Sequence, residues 1–246
     1  DGDIDLLVIG KTVSMSPIQR IYKNNGSGIF SSVDISLPSV YSGAVSWGDY
    51  DKDGDLDILY VGKNITNQYF GRIYRNDGSD IFTLAYTDIK GLGSAACKWG
   101  DYDNDGDLDF VISGIDDTKA YTLIYRNTNG SFSGITANLF GVRSGMVEWA
   151  DFDSDGDLDL IVAGLDYYYT YNAKVYKNLG NDIFKDMDVS LEQSYFPHFF
   201  DYNSDGKLDI LSGYKVYKNT GDTAFVDIFA TIPMGLSQSS SFSDYD

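Results

Sequence analysis

The sequence predicts an all-β protein, a β-propeller of five repeat units in which each unit forms a blade of four antiparallel strands. Three observations lead to this fold class. An aspartate-rich motif recurs about every 50 residues, short apolar runs follow each copy, and Asn/Gly-rich turns recur at a constant place in each unit. No linker, proline-rich stretch or helical period interrupts the array, so residues 1–246 are expected to form a single domain.

The motif reads Asp-x-Asp/Asn-x-Asp-Gly-x-x-Asp, and its four copies begin at Asp49, Asp101, Asp151 and Asp201. Oxygen-bearing side chains stand at positions 1, 3, 5 and 9, position 7 offers a backbone carbonyl, and glycine at position 6 permits a sharp bend. Such a loop suits a hard divalent cation, and calcium is the predicted occupant. An EF-hand is excluded, because none of the copies has glutamate at position 12.

Four strand-like runs follow one another in the units. The run after each loop is apolar and rich in Ile, Leu and Val: Leu56–Val61, Leu108–Ile112, Leu158–Val162 and Leu208–Leu211. The second run ends in IYKN, IYRN or VYKN and leads into an Asn/Gly turn of the kind that closes β-hairpins. The third run begins at Phe30, Phe82, Phe132, Phe184 or Phe225. The fourth ends in an aromatic residue two positions before the loop: Trp47, Trp99, Trp149, Phe199 and, by register, Phe242.

A four-stranded sheet cannot bury both of its faces alone, so neighbouring blades are expected to stack face to face around an axis. The recurring tryptophans are therefore interpreted as residues that pack blades together. The single cysteine, Cys97, lies on a predicted strand and is expected to be buried as a small apolar side chain. With one cysteine the chain has no internal disulfide, so packing and metal binding must supply its stability.

The segment WGDYDNDGDLDFVISG (Trp99–Gly114), with its IYRN run and Asn/Gly hairpin, resembles the repeat of the FG-GAP/VCBS family. These calcium-loop propeller repeats are also found in integrin α subunits and in many secreted bacterial proteins. The resemblance covers essentially the whole chain and implies a metal role at the matching positions. These are Asp49, Asp51, Asp53, Asp55 and Asp57; Asp101, Asp103, Asp105, Asp107 and Asp109; Asp151, Asp153, Asp155, Asp157 and Asp159; and Asp201, Asn203, Asp205, Lys207 and Asp209.

The residues at position 7 are expected to contribute backbone carbonyls; they are Asp55, Asp107, Asp157 and Lys207. The fourth loop departs from the pattern, because Asn203 replaces an acid at position 3 and Lys207 stands at position 7. Its lower negative charge predicts a weaker calcium site.

Both ends of the chain carry half of the motif, and these halves add the candidate ligands Asp244, Asp246, Asp1, Asp3 and Asp5, with Asp3 at position 7. In one explanation, a C-terminal strand within residues 235–246 completes the partial N-terminal blade of residues 1–40, and the half-loops form a fifth calcium site in a closed five-blade ring. In the other, the chain is part of a larger propeller. The second explanation is favoured, and the resemblance, which implies more than five blades, agrees with it.

The net charge is −19, and most of the 37 acidic residues belong to the loops and half-loops. Acidity is therefore interpreted as a metal-binding feature, and a nucleic-acid partner is excluded because the chain lacks a basic face. No apolar run is long enough to cross a membrane. Loops of this kind fill at the calcium concentrations found outside cells, so an extracellular or cell-surface location is expected.

The loops on the face opposite the metal loops differ most between units, and uneven loops on an even scaffold are where recognition usually occurs. One of them holds the densest aromatic cluster, with Tyr167, Tyr168, Tyr169 and Tyr171. These tyrosines are candidate ligand contacts for an extracellular protein or a glycan. The alternative is that they only extend a strand pair and pack against a neighbouring blade.

Reactive groups are scarce. His198 is the only histidine, and no serine and aspartate accompany it at a recognisable spacing. We therefore predict a non-enzymatic adhesion or binding module. The alternative function is the propeller domain of a secreted carbohydrate-active enzyme, a hydrolase or a lyase.

Overall fold

The structure is a computed structural model that describes residues 2–14, 16–33, 35–192, 196–221 and 224–231. These residues form strands and loops and contain no helix. The N-terminal sheet has three strands, β1 (Leu6–Lys11), β2 (Pro17–Asn24) and β3 (Phe30–Val33). The second sheet has four: β4 (Ser42–Gly48), β5 (Asp57–Lys63), β6 (Tyr69–Asn76) and β7 (Phe82–Tyr86).

Three further four-stranded sheets follow along the chain. The third contains β8 (Gly93–Gly100), β9 (Asp109–Ile115), β10 (Ala120–Thr128) and β11 (Ser131–Gly134). The fourth contains β12 (Arg143–Ala150), β13 (Asp159–Leu165), β14 (Tyr171–Asn178) and β15 (Phe184–Asp186). The fifth contains β16 (His198–Phe200), β17 (Asp209–Ser212), β18 (Lys215–Asn219) and β19 (Phe225–Thr231).

Every sheet is an antiparallel meander in which each strand pairs with the next along the chain. The predicted units and hairpins are therefore confirmed, and the apolar runs that follow the aspartate motifs become the buried strands β5, β9, β13 and β17. The predicted strand within residues 235–246 lies outside the described residues, as do Phe242, Asp1, Asp244 and Asp246.

Apolar clusters fill the spaces between consecutive sheets, so the sheets pack face to face in chain order in a β-propeller-like arrangement. The residue at motif position 2 enters each space and stacks on the aromatic residue that precedes the next motif. The ring centroids are 6.3 Å apart for Tyr50 and Trp99 and 6.1 Å apart for Tyr102 and Trp149. The interpretation of the tryptophans as packing residues is confirmed, and Cys97 is buried as predicted.

The close approach of Trp99 to its neighbour explains a glycine in the preceding sheet. A Cβ atom added to Gly48 would lie 2.6 Å from the Trp99 ring, and the same distance separates a Cβ at Gly100 from Trp149. The Trp99 indole N–H also donates to the Ser46 carbonyl at 3.2 Å. Glycine is therefore required at the end of β4 and of β8 by the space that the next tryptophan occupies.

From the third sheet onward, a buried carboxylate and a buried amide tie each hairpin to its aspartate loop. In the third sheet, both oxygens of Asp109 accept backbone N–H groups, from Tyr102 at 3.1 Å and from Asn127 at 2.7 Å. The Asn127 side chain then donates to the Leu108 carbonyl and accepts from the N–H of Gly130 in the hairpin turn. The same arrangement recurs around Asp159 and Asp209.

The same asparagines also link one sheet to the sheet before it. Asn127 donates to the Tyr50 carbonyl at 3.2 Å, Asn178 to the Tyr102 carbonyl at 2.8 Å, and Asn219 to the Phe152 carbonyl at 2.7 Å. Each acceptor belongs to position 2 of the preceding motif. The aspartate loops are thus joined to one another through the final residue of the IYRN or VYKN run.

We predict that Asn127→Ala lowers the free energy of unfolding by about 2–4 kcal/mol, because it leaves the buried Tyr50 carbonyl and the partly buried Leu108 carbonyl without their side-chain donor. Urea denaturation measures this change. Asn172→Ala is the matched control, since the Asn172 amide makes a single exposed bond to the Thr170 carbonyl. Equal denaturation midpoints for the two variants would show that the inter-sheet bonds contribute nothing to stability.

Candidate functional site

The four aspartate loops share one backbone conformation. The glycines at position 6, Gly54, Gly106, Gly156 and Gly206, have φ between +82° and +96°. Each donates its N–H to the carboxylate at position 1, as Gly54 does to Asp49 at 3.1 Å and Gly206 to Asp201 at 2.8 Å. The predicted bend is confirmed, and the chain wraps around the first carboxylate of the loop.

Three of the loops bring carboxylates together. Oxygen atoms from three acids lie within 4.8 Å of one another in each group: Asp49, Asp51 and Asp53; Asp101, Asp103 and Asp109; and Asp151, Asp153 and Asp159. In the first loop the third member is therefore the position-5 residue Asp53, whereas the second and third loops use position 9. Three converging carboxylates repel one another unless a cation lies between them.

Buried carboxylate oxygens without a hydrogen-bond partner indicate whether a cation fits the loops. In the second and third loops, the Oδ1 atoms of Asp103 and Asp153 are buried and have no hydrogen-bond partner. The Oδ2 atoms of the same residues are held by basic side chains, Asp103 by Arg126 at 2.7 Å and Asp153 by Lys177. In each carboxylate, a basic side chain holds one oxygen and the other is buried without a hydrogen bond. This is the arrangement expected of a metal ligand whose second oxygen is fixed by a neighbouring side chain.

Arg126 and Lys177 stand directly before the asparagines of the hairpin runs, and neither was predicted to contact an aspartate loop. Lys218, at the equivalent place in the fifth sheet, lies 3.3 Å from Asp205 of the fourth loop. The sequence feature that could have indicated these contacts is the basic residue that precedes the asparagine in every IYKN, IYRN and VYKN run.

The aspartates at position 9 have a second role beside the predicted ligand role, because they accept the two backbone N–H groups described above. Asp57, Asp109 and Asp159 are fully buried. Burial raises the pKa of Asp57 to about 6 and those of Asp109 and Asp159 to about 7, although the backbone N–H groups act in the opposite direction. Nearby loop acids add to the increase by repulsion.

The residues at positions 4 and 7 connect neighbouring loops, which the motif did not predict. Lys52 of the first loop lies 2.6 Å from Asp107 of the second, and Asn104 of the second donates to Asp157 of the third at 2.8 Å. Lys52 and Asn104 both have positive φ values, 62° and 56°. The side chains at position 7 thus bridge loops, while their backbone carbonyls remain candidate ligands.

The carboxylates of the fourth loop and of the N-terminal half-loop do not form a group of three converging acids among the described residues. In the fourth loop, Asn203 donates to Asp205 at 3.1 Å. In the N-terminal half-loop, Asp5 accepts the N–H of Asn24 at 2.8 Å, as the position-9 aspartates do in the complete loops. Asp3 is also described and lies beside the hairpin glycine Gly26.

A cleft of about 440 Å³ lies on the face opposite the aspartate loops. Three consecutive sheets contribute to it through the loops after β5, β9 and β13 and through the first residues of β4, β8 and β12. Its lining side chains include Tyr41, Lys63, Tyr69, Asp117, Arg143, Tyr167 and Tyr169. Aromatic surfaces and charged groups therefore meet in one concave site.

Two sheets are bridged at one side of the cleft. The Tyr69 hydroxyl donates to Asp117 of the next sheet at 2.7 Å and accepts from Lys63 at 3.0 Å. Nearby, Lys90 lies 2.7 Å from Asp116. These contacts neutralise both acids of the cleft and fix the hydroxyl of Tyr69.

The other side of the cleft is formed by Arg143 and Tyr169. The guanidinium lies over the Tyr169 ring, with its central carbon 3.9 Å from the ring centroid. Tyr169 has a φ of 66°, a left-handed conformation that is unfavourable for a bulky side chain. The equivalent residue of the loop after β5 is Asn67, with a φ of 64°, and asparagine tolerates this conformation well.

The predicted tyrosine cluster is divided by the structure. Tyr167 and Tyr169 line the cleft, whereas Tyr168 is 82% exposed and stands outside its lining. Tyr171 begins β14 and pairs with Leu165, as the packing alternative expected. Asp117 and Arg143 were not predicted; Arg143 breaks the repeat, because Ser42 and Gly93 stand at its register position in the two preceding sheets.

Comparisons with known proteins agree with the fold. The family model for the FG-GAP-like repeat matches residues 1–60, 101–162 and 151–212, which confirms the resemblance. Comparison with curated proteins found no match. No helix in the described part of the chain is long and apolar enough to cross a membrane.

Among solved structures, the chain is similar to an Agrocybe aegerita lectin that recognises non-reducing terminal N-acetylglucosamine, with 20% identity, a TM-score of 0.61, and 95% of this chain and 68% of the lectin chain covered. It is also similar to the exotype rhamnogalacturonan lyase YesX, with 15% identity, a TM-score of 0.45 and coverages of 90% and 44%. For the V. cholerae biofilm matrix protein Bap1 the identity is 18%, the TM-score 0.37 and the coverages 78% and 30%. The lectin shares the fold of this chain.

We predict that Tyr169 is not required for folding. Tyr169→Asn should leave the free energy of unfolding unchanged or raise it by up to about 1 kcal/mol, because asparagine relieves the left-handed strain while the ring contact with Arg143 is lost. The reciprocal change Asn67→Tyr should lower it by about 1–2 kcal/mol. Urea denaturation of both variants tests this, and a strongly destabilised Tyr169→Asn protein would contradict it.

Proposed function

Because this chain belongs to the FG-GAP-like repeat family, we propose that it is a calcium-stabilised β-propeller module that binds a carbohydrate in the cleft opposite its aspartate loops. The observation that carries the binding role is Tyr169, which keeps a left-handed backbone while its ring covers Arg143 in the cleft. Strained backbone conformations of this kind cluster at ligand-binding sites.

Calcium is the proposed ion of the aspartate loops. Their ligands are oxygen atoms only, and hard cations with flexible coordination prefer such donors. The buried, bond-free oxygens of Asp103 and Asp153 support this assignment, since an ion would supply their missing partner. The first three loops are proposed as the strongest sites, the fourth as a weaker one, and a fifth site from the half-loops stays a prediction.

The proposed propeller places the five sheets around one axis with the loops at one end and the cleft at the other. The inter-sheet bonds from Asn127, Asn178 and Asn219 support a regular succession of blades. Closure of five blades into a ring by residues 235–246 stays a prediction. The location proposed is outside the cell, where calcium is abundant enough to fill loops of moderate affinity.

A carbohydrate suits the cleft better than a flat protein surface does. Sugars bind through aromatic side chains that pack against the ring and through charged or hydroxyl groups that bond its hydroxyls. Tyr167, Tyr169 and the Tyr69 hydroxyl beside Asp117 provide both kinds of contact. The fold shared with a lectin supports the same choice. The proposal is binding without turnover, so cleavage of a polysaccharide by the purified protein would contradict it.

We predict that calcium raises the melting temperature of the protein and that magnesium does so much less. A site with a dissociation constant one hundred times below the calcium concentration adds about 2.7 kcal/mol to the free energy of unfolding. Thermal melts in chelator, in calcium and in magnesium measure this effect. An equal midpoint in chelator and in millimolar calcium would refute the calcium assignment.

Two substitutions in the second loop separate ion binding from folding in that experiment. Asp103→Asn should leave the melt in chelator nearly unchanged and reduce the rise caused by calcium, since it removes a charged ligand. Asp109→Asn should lower the melting temperature in chelator as well, because an amide cannot accept both backbone N–H groups. Identical behaviour of the two variants would contradict the division of roles.

For carbohydrate binding, we predict that the double variant Tyr167→Ala/Tyr169→Ala loses the glycan signals that the calcium-loaded protein gives on a glycan array. Aromatic truncation in a binding site removes much of the contact area. Tyr168→Ala is the matched control, because Tyr168 is exposed beside the cleft and does not line it. Signals that survive in the double variant, or no signal from the unmodified protein, would refute carbohydrate binding at this site.

A further inference from the structure

The cleft contains a cation without a counter-ion. Asp117 shares its charge with Lys63 at 3.8 Å, and Asp116 pairs with Lys90. Arg143 has no ion pair and donates no hydrogen bond within the described residues. In a chain of net charge −19, Arg143 is thus a cleft cation that no acid of the described residues pairs with.

The position of Arg143 is not required by the fold. It begins β12 at the register position that Ser42 and Gly93 occupy in the two preceding sheets. A β-bulge follows it, with Ser144 at a φ of 49°, and the same irregularity follows Gly93, at Ser94. Because two other units fold with serine or glycine at this place, packing of the unit does not require an arginine there.

The guanidinium is also held in place before any ligand arrives. The Tyr169 ring covers one of its faces at 3.9 Å, and its Nε atom is buried without a hydrogen-bond acceptor. Buried donors without acceptors are rare in folded proteins, and each calls for a partner. An immobilised guanidinium that lacks an acceptor is suited to a planar anion, which it can bind through two parallel hydrogen bonds.

From these observations we infer that the cleft binds a carboxylated sugar, such as a uronic acid residue of an oligosaccharide, with the carboxylate on Arg143. This inference rests on the proposed carbohydrate-binding function and specifies its ligand class. The sugar ring packs against Tyr167 and Tyr169, and its hydroxyls reach Asp117 and Tyr69 on the opposite side of the cleft. A neutral sugar would leave the charge of Arg143 uncompensated, so the carboxylate determines specificity.

The test compares two probes that differ at one carbon, which carries a carboxylate in one and a neutral hydroxymethyl group in the other. A glucuronate-containing oligosaccharide and its carboxyl-reduced, neutral counterpart are titrated into the calcium-loaded protein by calorimetry. The acidic probe should bind about tenfold more tightly or better, as expected for a charge-assisted, two-point contact. Arg143→Gln should reduce this ratio to about one while it retains the affinity for the neutral probe, and Arg143→Lys should give an intermediate ratio.

Controls separate the possible failures. Arg72→Gln, which removes an arginine outside the cleft, should keep the ratio of the unmodified protein, and thermal melts confirm that each variant is folded. Equal affinity for the acidic and neutral probes would overturn the carboxylate inference and leave carbohydrate binding intact. Binding of neither probe nor any other glycan would overturn both. Preference for a sulfated oligosaccharide over the glucuronate probe would overturn the carboxylate assignment.

Discussion

A buried aspartate and a buried asparagine join neighbouring sheets at the second, third and fourth aspartate loops. The carboxylate of Asp109, or of Asp159, accepts one N–H from its loop and one from the hairpin of its own sheet. The asparagine at that hairpin, Asn127 or Asn178, continues the network to the loop of the preceding sheet. Loop, hairpin and neighbouring sheet are thus joined by buried side chains. The aromatic residues pack between the sheets that these bonds align.

This network also explains how an ion at the loops would influence the whole protein. The same aspartates that hold the backbone stand in the groups of converging carboxylates of the second and third loops. Their burial already disfavours the charged form, as their raised pKa values show. A cation between the carboxylates would compensate their negative charge at the place where the backbones of two sheets meet. Its stabilising effect would therefore extend beyond the nine residues of the loop to both sheets.

The sequence was sufficient for the strands, hairpins and aspartate loops because each is determined by residues close together in the chain and repeated in every unit. It was insufficient for the cleft, because Lys63, Asp117 and Arg143 belong to three different sheets and converge only when those sheets stack. The left-handed conformation of Tyr169 likewise has no sequence signature, since asparagine occupies the equivalent place at Asn67. The bridges from Lys52 and Asn104 were missed because motif position 4 varies between loops.

The asparagine bonds between sheets all run in one direction. Each sheet from the third onward gives an asparagine amide to its predecessor, and each loop from the first to the third offers a position-2 carbonyl to its successor. A unit copied by gene duplication would therefore arrive with the donor that its new predecessor needs and the acceptor that its new successor needs. Arrays of different length could arise in this way without any compensating substitution in these asparagine bonds. The bonding groups of the interface would be copied together with the unit.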